Sequence, residues 1–411
     1  MKIELLSALL ISLILSSVCV AQDWPRWRGD NQNDISTAEG LLQQWPKGGP
    51  ELEWVCKQGG LGYAGFSIVG DRLFTMGLEN EQEFALCLNA ETGEKIWQAN
   101  LGDPYTNSWG DGPRSTPSVD ETRVYFMAAK GDLVCLNLDD GSKVWSRNMA
   151  EFGGKVPKWG YAESPLVEGE HLFCTPGGKK GSILALDKLT GEKVWQTEEV
   201  TSAAHYSSLL LTEQNEKQVL VQLLPDKVVG VDRQTGDVLW QTEFLGRVAV
   251  IPSPIFKDNK VYVCAGYGIG SKLIDVSGDE PEELFLNKVM TNHHGGVILL
   301  EDHLYGYSDG KGFICQSFET GEMLWNEKKK IKKGAVSYAD GRFYFVEEKS
   351  GDVLLLEANS EGVTEQGRFT LAPQTERRKP KGRIWVHPVI ANGKMYLRDQ
   401  EFIHCFRISG N

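Results

Sequence analysis

The sequence lacks several patterns that identify common functional classes. It has no HExxH string and no pair of CxxC motifs, which are frequent signatures of zinc proteases and structural zinc sites. It has no long basic stripe, and its net charge of −13 with a pI near 5.2 argues against a general nucleic-acid binder, which needs a cationic face for phosphates. After residue 25, no segment approaches the roughly 20 apolar residues of a membrane-spanning helix.

The first residues have the composition of a targeting segment. Lys2 precedes an apolar run from Leu5 to Val18, and Cys19 and Ala21 are small residues of the kind a signal peptidase accepts. We therefore expect a signal peptide over residues 1–21, an N-terminal extension over 22–50 and an exported chain, periplasmic or secreted. A lipoprotein anchored at Cys19 is the weaker alternative, because Val18 stands where a small residue is expected.

The cysteines do not predict a disulfide framework. Loss of Cys19 would leave seven of the eight, an odd number that cannot all pair within the chain. Cys87, Cys135, Cys315 and Cys405 occupy one position of an internal repeat, where other copies have alanine or glycine, so we expect a small buried residue there. Equivalent positions in successive repeats should lie too far apart for a disulfide. We expect none.

An eleven-residue pattern recurs along the chain, as in ALDKLTGEKVW at residues 185–195. Each copy has a turn glycine four residues before a tryptophan, and the copies end at Trp97, Trp145, Trp195, Trp240 and Trp325. When Trp54, Phe285 and Phe369 are added, successive aromatic markers lie 40 to 50 residues apart. Such a period fits four short strands and is typical of propeller blades, and helical periodicity is scarce. We interpret the five tryptophans as structural residues that dock one blade against the next.

The number of blades follows from the segments that would form inner strands. Eight such segments begin near Tyr63, Arg114, Tyr161, His205, Ile251, His293, Gly334 and Trp385. The last unit has only three strands before the chain ends, and residues 51–57 can supply the fourth and close the ring. We predict an all-β protein in which residues 51–411 form a single domain. This domain is an eight-bladed β-propeller of four-stranded antiparallel blades, with seven blades as the fallback, closed by an N-terminal strand.

The repeat resembles the tryptophan-docking motif of pyrroloquinoline quinone (PQQ) repeat propellers. The match is complete at Ala185, Asp187, Thr190, Gly191 and Trp195, and the resemblance covers about residues 50–409. The strings WPRWRGDNQNDIS, GPRSTPSV and WGYAESPLV are similar to those of exported bacterial PQQ-like repeat proteins. The resemblance implies kinship with quinoprotein alcohol dehydrogenases and with the outer-membrane protein assembly propeller. It therefore implies an architecture more than an activity.

Polar and aromatic side chains are concentrated where the predicted inner strands begin, which in a propeller is the mouth of the central channel. We predict ligand-binding residues there, namely Arg114, Tyr161, Glu163, His205, Tyr206, His293, His294, Trp385 and His387. Arginine holds carboxylates and phosphates, and aromatic rings stack on planar or sugar rings, so the expected ligand is small and anionic or polyhydroxylated. The alternative is that these groups satisfy one another as buried polar lining.

Catalysis with PQQ is a separate hypothesis. The PQQ-dependent alcohol dehydrogenases that the chain resembles hold the quinone between a tryptophan and a disulfide of adjacent cysteines. Calcium or a lanthanide and a catalytic aspartate lie beside it, and the resemblance would imply the same groups here. This chain has no adjacent cysteines and no CxxCH haem string, and we find no convincing metal ligands around Glu163. PQQ sugar dehydrogenases lack that disulfide, so its absence leaves the question open.

The expected function is a non-catalytic ligand-binding or protein-scaffold propeller, with an envelope protein or a small ligand as partner and without nucleic acid. We assign no metal site and no catalytic residue. The alternative is a dehydrogenase that uses PQQ with calcium to oxidise an alcohol or a sugar.

Overall fold

The structure, a computed structural model, describes residues 22–410, and the predicted signal peptide lies outside this range. Eight sheets of four antiparallel strands follow one another around a ring, and one of them carries an additional short parallel strand. First strands of several neighbouring sheets contact one another, as in blades 1 to 3 and blades 6 to 8, so these strands surround the central axis and each sheet extends outward from it. The predicted eight-bladed β-propeller is confirmed.

Each blade runs from its innermost strand to its outermost strand in chain order. Blade 1 consists of Ser67–Val69, Arg72–Glu79, Gln82–Asn89 and Lys95–Gly102, and blade 2 of Ser118–Asp120, Arg123–Met127, Asp132–Asn137 and Lys143–Asn148. Blade 3 consists of Leu166–Glu168, His171–Cys174, Leu184–Asp187 and Lys193–Gln196, and blade 4 of Leu210–Gln214, Lys217–Leu223, Lys227–Asp232 and Val238–Glu243. One turn of 3-10 helix, Met149–Phe152, follows blade 2.

Blades 5 to 7 have the same order, and blade 8 takes its outer strand from the beginning of the chain. Blade 5 consists of Ile255–Lys257, Lys260–Ala265, Gly270–Asp275 and Glu282–Asn287, and blade 6 of Val297–Leu300, His303–Ser308, Gly312–Ser317 and Met323–Glu327. Blade 7 consists of Gly334–Ala339, Arg342–Glu347, Asp352–Ala358 and Val363–Thr370, and blade 8 of Val389–Ala391, Lys394–Asp399, Phe402–Arg407 and Glu51–Cys56.

The ring closes as the repeat predicted. Glu51–Cys56 pairs antiparallel with Phe402–Arg407, and Trp54 lies opposite Cys405. Fully buried Arg398 reinforces this closure from blade 8. Its guanidinium donates to the Thr75 hydroxyl group and to five backbone carbonyl groups, those of Gly59, Gly60, Ala64, Met76 and Gln400. Most of these acceptors belong to blade 1 or lead into it, so one buried cation joins the two ends of the ring.

The repeated tryptophans lie at the seams between blades. Four of them donate a hydrogen bond from Nε1 to a carbonyl oxygen of the following blade: Trp97 to Leu138, Trp145 to Lys188, Trp195 to Arg233 and Trp325 to Asn359. The Trp195 ring lies against Gly236, the turn glycine of the next repeat. Trp240 of blade 4 differs, because the following blade 5 has no Thr-Gly turn to receive its ring. The Trp240 Nε1 atom instead donates to Gln214 Oε1 in the same blade at 2.8 Å.

Hydrophobic packing between adjacent blades forms the core. One cluster joins Phe74 and Trp97 of blade 1 to Val124 and Phe126 of blade 2, and comparable clusters fill the other seams. The seven cysteines of residues 22–410 are free and buried. In this range no helix has the length and hydrophobicity that a membrane span requires.

Residues 24–36, which we name the N-terminal plug, lie across one end of the channel. The plug contacts the inner strand of every blade or the residues leading into it. Its hydrogen bonds reach Ile68, Val119, Val167, Leu209, Ser253, Val297 and Tyr338 in or just before blades 1 to 7, and Asp34 Oδ2 lies 3.4 Å from His387 Nδ1 before blade 8. Within it, Ile35–Ser36 adds the short parallel strand to blade 7. A segment that touches all eight blades must lie near the axis, so the plug closes the channel at that end.

Candidate functional site

A cavity of about 430 Å³ occupies the central channel beside the plug. Aromatic rings form much of its wall: Trp27, Trp109, Trp159, Trp385, Tyr63, Tyr206 and Tyr267. Its ionisable lining consists of Arg28, Arg114, Lys158, His293, His294 and His387, besides these tyrosines. Among residues 22–410, no aspartate or glutamate lines the cavity. A concave, mostly apolar site with a few converging polar groups is the usual form of a small-molecule pocket.

The plug supplies the floor of this cavity. Trp27 packs 4.7 Å from the His387 ring, centroid to centroid, and its Nε1 donates to Ser253 Oγ at 3.1 Å. Arg28 is buried and donates from Nε to Asp34 Oδ2 at 2.7 Å and from Nη2 to the Val297 carbonyl at 2.6 Å. Burial alone would raise the pKa of Asp34, but Arg28 and His387 outweigh it and hold that pKa below its ordinary value. The charge of Arg28 is therefore neutralised within the plug.

Trp385 is the centre of the aromatic wall. The His294 ring stacks on it with the two centroids 4.8 Å apart and the planes 20° apart, and Tyr63 packs on it at 4.8 Å. Its Nε1 donates to Glu348 Oε2 at 3.0 Å. Burial raises the pKa of Glu348 above its ordinary value. Because the indole is held on several sides, it presents a fixed surface on which a ring can stack.

His293 is held in one tautomer by its neighbours. Lys333 Nζ lies 2.8 Å from His293 Nδ1 and 2.7 Å from Asp309 Oδ1. An ammonium group only donates, so Nδ1 accepts and the proton of neutral His293 resides on Nε2. This Nε2 is buried and has no hydrogen-bond partner among residues 22–410. Burial, aided by Lys333, lowers the pKa of His293 to about 4, and burial lowers the pKa of His294 well below its ordinary value, so both rings are neutral at pH 7.

Arg114 is the cation that the fold positions most closely. Its Nη1 and Nη2 atoms donate to the carbonyl oxygens of Gly112 and Gly110 at 2.5 and 2.6 Å. Its guanidinium also lies 5.5 Å from the Tyr63 ring centroid and 5.0 Å from that of Tyr105. Burial lowers its pKa from the ordinary value, but an arginine remains charged at neutral pH. The side chain is thus fixed in direction without being neutralised by a carboxylate.

Tyr267 lies in the turn between the second and third strands of blade 5 and forms part of the wall. Its backbone is left-handed, with φ at 58°, which costs a bulky non-glycine residue roughly 1–3 kcal/mol. Its ring lies edge-on against His293, with centroids 4.2 Å apart. Strained residues that persist are concentrated at ligand sites, where the surrounding structure holds them in place.

The structure brings six of the nine predicted ligand-binding residues to the cavity: Arg114, Tyr206, His293, His294, Trp385 and His387. The other three, Tyr161, Glu163 and His205, are not part of its lining. Extended chain alternates its side chains between two sides, and Ala162 and Ser164 take the positions that face the cavity.

The three residues outside the lining have other partners. The Tyr161 hydroxyl group donates to the Pro176 carbonyl oxygen at 3.0 Å. The Glu163 carboxyl group accepts from Thr175 and Gln222, and burial raises its pKa to about 8. His205 stacks on Tyr206 and accepts from the Val250 amide at 3.3 Å. We therefore place the candidate site at the other six residues.

Sequence reasoning missed several lining residues. They are Trp27 and Arg28 of the plug together with Trp109, Lys158, Trp159 and Tyr267. One signal could have found the tryptophans: Trp27, Trp109 and Trp159 fall outside the period of the docking tryptophans. Trp24 and Trp45 also fall outside the period but pack in hydrophobic clusters between blades, so the spacing selects candidates and does not by itself identify the lining.

The donor set does not fit a calcium-bound quinone. Among residues 22–410 there is no group of three histidine, cysteine, aspartate or glutamate side chains that could hold a metal ion. Calcium prefers several oxygen ligands, mainly carboxylate and carbonyl oxygens, and the cavity lining of the described chain has no carboxylate. The same lining also offers no aspartate as a catalytic base.

Comparisons with known proteins agree with this architecture. The chain resembles solved structures of BamB from Moraxella catarrhalis (15% identity, TM-score 0.61, 84% of this chain and 94% of that one), and quinohemoprotein alcohol dehydrogenase from Comamonas testosteroni (12%, 0.66, 95% and 81%). It also resembles a europium-containing methanol dehydrogenase (10%, 0.66, 92% and 89%). At these identities the likeness shows the fold alone.

The sequence itself identifies the family. No curated protein matches the chain. A family described as outer membrane protein assembly factor BamB matches residues 82–327, which is more than half of the sequence. This match and the structural likeness confirm the predicted relation to PQQ-like repeat propellers. The chain belongs to the BamB family of PQQ-like repeat β-propellers.

Proposed function

We propose that this protein is an exported, non-catalytic binding propeller whose central cavity holds a small ligand that contains a ring. The observation that carries the proposal is the cavity itself: about 430 Å³, walled by seven aromatic side chains and closed below by the plug. Stacking on fixed aromatic rings supplies affinity for a planar or pyranose ring with little loss of side-chain freedom. Small-molecule sites are usually preformed in this way.

The polar groups of the cavity favour binding over catalysis. The Ser164 and Ser208 hydroxyl groups accept from backbone amides, and Ser253 accepts from Trp27, so none of these serines is hydrogen-bonded to a histidine that could activate it. Arg114 and Trp385 are likewise held by neighbouring groups. Such groups orient a ligand, whereas the lining contributed by residues 22–410 has no carboxylate that could remove a proton from it.

Tryptophan fluorescence tests the proposal directly, because four indoles line the cavity. The protein is titrated with PQQ, with and without calcium, and with glucuronate and 2-naphthoate, and calorimetry confirms each response. We expect saturable binding of at least one probe, weakened by Trp385→Ala and unchanged by Lys329→Ala, which alters an exposed loop lysine.

Two outcomes would contradict the proposal. If no probe binds at millimolar concentration, the cavity is only a satisfied channel lining. If PQQ binds only with calcium and the protein then reduces a dye with an alcohol or a sugar, the dehydrogenase alternative replaces it.

The family supports a location in the cell envelope, since its description names outer membrane protein assembly. The predicted signal peptide leads to the same proposal. In this setting an envelope protein that contacts the rim is a second candidate partner. Fractionation of cells that express the full chain, or a chain starting at Met followed by residue 22, tests export: only the full chain should reach the periplasm or medium. Affinity capture from the envelope fraction then tests for a protein partner.

A further inference from the structure

The charge of the cavity is opposite to that of the protein. The chain contains 56 acidic and 43 basic residues, yet in residues 22–410 only basic groups, histidines and tyrosines provide the ionisable lining of the cavity. Within residues 22–410, acidic side chains are thus absent from the lining of this cavity. An acidic protein that keeps carboxylates away from a pocket lowers the electrostatic cost of bringing an anion into it.

The cations of the cavity differ in how far they are neutralised. Arg28 forms an ion pair with Asp34 and therefore has a local counter-charge. Arg114 and Lys158 form no ion pair with a carboxylate among the described residues. The Lys158 ammonium instead lies 4.8 Å from the Trp159 ring centroid. Neither Arg114 nor Lys158 is therefore paired with a carboxylate at contact distance, and the carboxyl groups of Glu83 and Asp111 act on Arg114 only from farther away.

Arg114 is held ready for an anion. Two of its five N–H groups are used on the Gly110 and Gly112 carbonyl oxygens, which fixes the plane of the guanidinium and leaves other donors. The Tyr63 and Tyr105 rings near that plane limit its motion. The buried Nε2–H of His293 is a further unused donor of the lining. Each of these groups donates, so the complementary ligand group is an acceptor.

From these observations we infer that the ligand of the cavity is a small anion, a carboxylate or phosphate attached to a ring, whose charge is bound by Arg114 with help from Lys158. The inference rests on the proposed function and adds the ligand's charge to it. The ring lies against the aromatic wall around Trp385, and the volume of about 430 Å³ limits the ligand to one or a few rings.

Pairs of probes that differ only in charge test the inference. The pairs are 2-naphthoate with 2-naphthamide and glucuronate with glucuronamide, each measured by calorimetry on the purified full-length mature protein. Charge-assisted hydrogen bonds are about twice as strong as neutral ones, so each anion that binds should bind roughly 10-fold to 100-fold more tightly than its amide. This preference should be lost as the salt concentration rises, because ions screen the attraction.

Variants identify the residues that carry the preference. Arg114→Met should reduce the preference for the anion by at least about tenfold while binding of the amide persists, and persistence of amide binding shows that the pocket is intact. Lys158→Met, at an exposed position, should reduce it by less, and Lys329→Met should leave it unchanged. If Arg114→Met unfolds, Lys158→Met and the salt dependence still test the charge.

The outcomes separate the two proposals. If amide and acid bind equally and with the same salt dependence, the inference is wrong and the proposed function stands. If neither member of either pair binds and PQQ does not bind either, the proposed function fails. If the anion is preferred equally by wild type and by Arg114→Met, the charge is bound elsewhere and the assignment of Arg114 is wrong.

Discussion

A double-mutant cycle at the seam between blades 3 and 4 tests why the repeat pairs a glycine with a tryptophan. Trp195 is 8% exposed, packs on Phe173 and donates to the Arg233 carbonyl oxygen at 3.2 Å. Replacing it with alanine empties a large aromatic site, so Trp195→Ala should lower the free energy of unfolding by roughly 3–5 kcal/mol.

Gly236→Ala perturbs the other side of the same contact. Gly236 has φ at +77°, and a Cβ there would lie 2.6 Å from Trp195 Cδ2, well inside contact distance. The left-handed backbone alone should cost about 1 kcal/mol, and the overlap with the indole should add roughly 1–3 kcal/mol. Gly341→Ala is the matched control, since Gly341 has φ at +78° and no atom within 4 Å of its built Cβ.

The coupling between the two sites is the decisive quantity. Once the indole is removed, the overlap disappears, so Gly236→Ala in the Trp195→Ala background should cost only about as much as Gly341→Ala, roughly 1 kcal/mol. Guanidinium denaturation of the four proteins gives the cycle. If the two substitutions are additive within about 0.5 kcal/mol, the glycine is required only for its turn, and the close packing of indole on glycine carries no energy.

Three further predictions concern the plug, the ring closure and a buried histidine. Trp27→Ala should weaken 2-naphthoate binding about tenfold in calorimetry, because Trp27 forms the floor, whereas unchanged affinity would remove the plug from the site. Arg398→Met should lower the free energy of unfolding by about 3–5 kcal/mol in guanidinium denaturation, because carbonyl groups between blades 8 and 1 lose their donor. A smaller loss of stability in Arg398→Lys would show that the hydrogen bonds an ammonium group can still donate account for part of the effect. Burial lowers the pKa of His404 to about 4, so the unfolded chain binds its proton at higher pH than the native one and stability should fall as pH drops from 6.5 to 4. His404→Gln should reduce this loss of unfolding free energy by up to ~3 kcal/mol. If the variant loses as much stability as the wild type between pH 6.5 and 4, the lowered pKa of His404 is wrong.

The fold was largely predictable because its signal is local and repeated. Five of the eight blades carry the turn glycine and tryptophan of the repeat, and the three-stranded last unit indicated that residues 51–57 complete it. The period of such a repeat survives loss of individual residues, as at Phe285 in blade 5. The blade count therefore did not depend on any single position.

The site was predictable only in part, for two physical reasons. In extended chain a shift of one residue moves a side chain to the other side, so the pattern could not decide between Glu163 and Ser164 for the cavity. The plug has no repeat, and its contacts join residues far apart in sequence, such as Arg28 and Val297. Such contacts leave no periodic signal, and the floor of the cavity therefore became visible only in the folded chain.

A crystal structure of the protein with bound 2-naphthoate would show directly whether the cavity is the ligand site. We expect the naphthalene ring in the aromatic cavity beside Trp385 and above Trp27, with the carboxylate within hydrogen-bonding distance of Arg114. Binding of the compound on the outer strands or in a seam between blades, with the cavity unchanged, would contradict it.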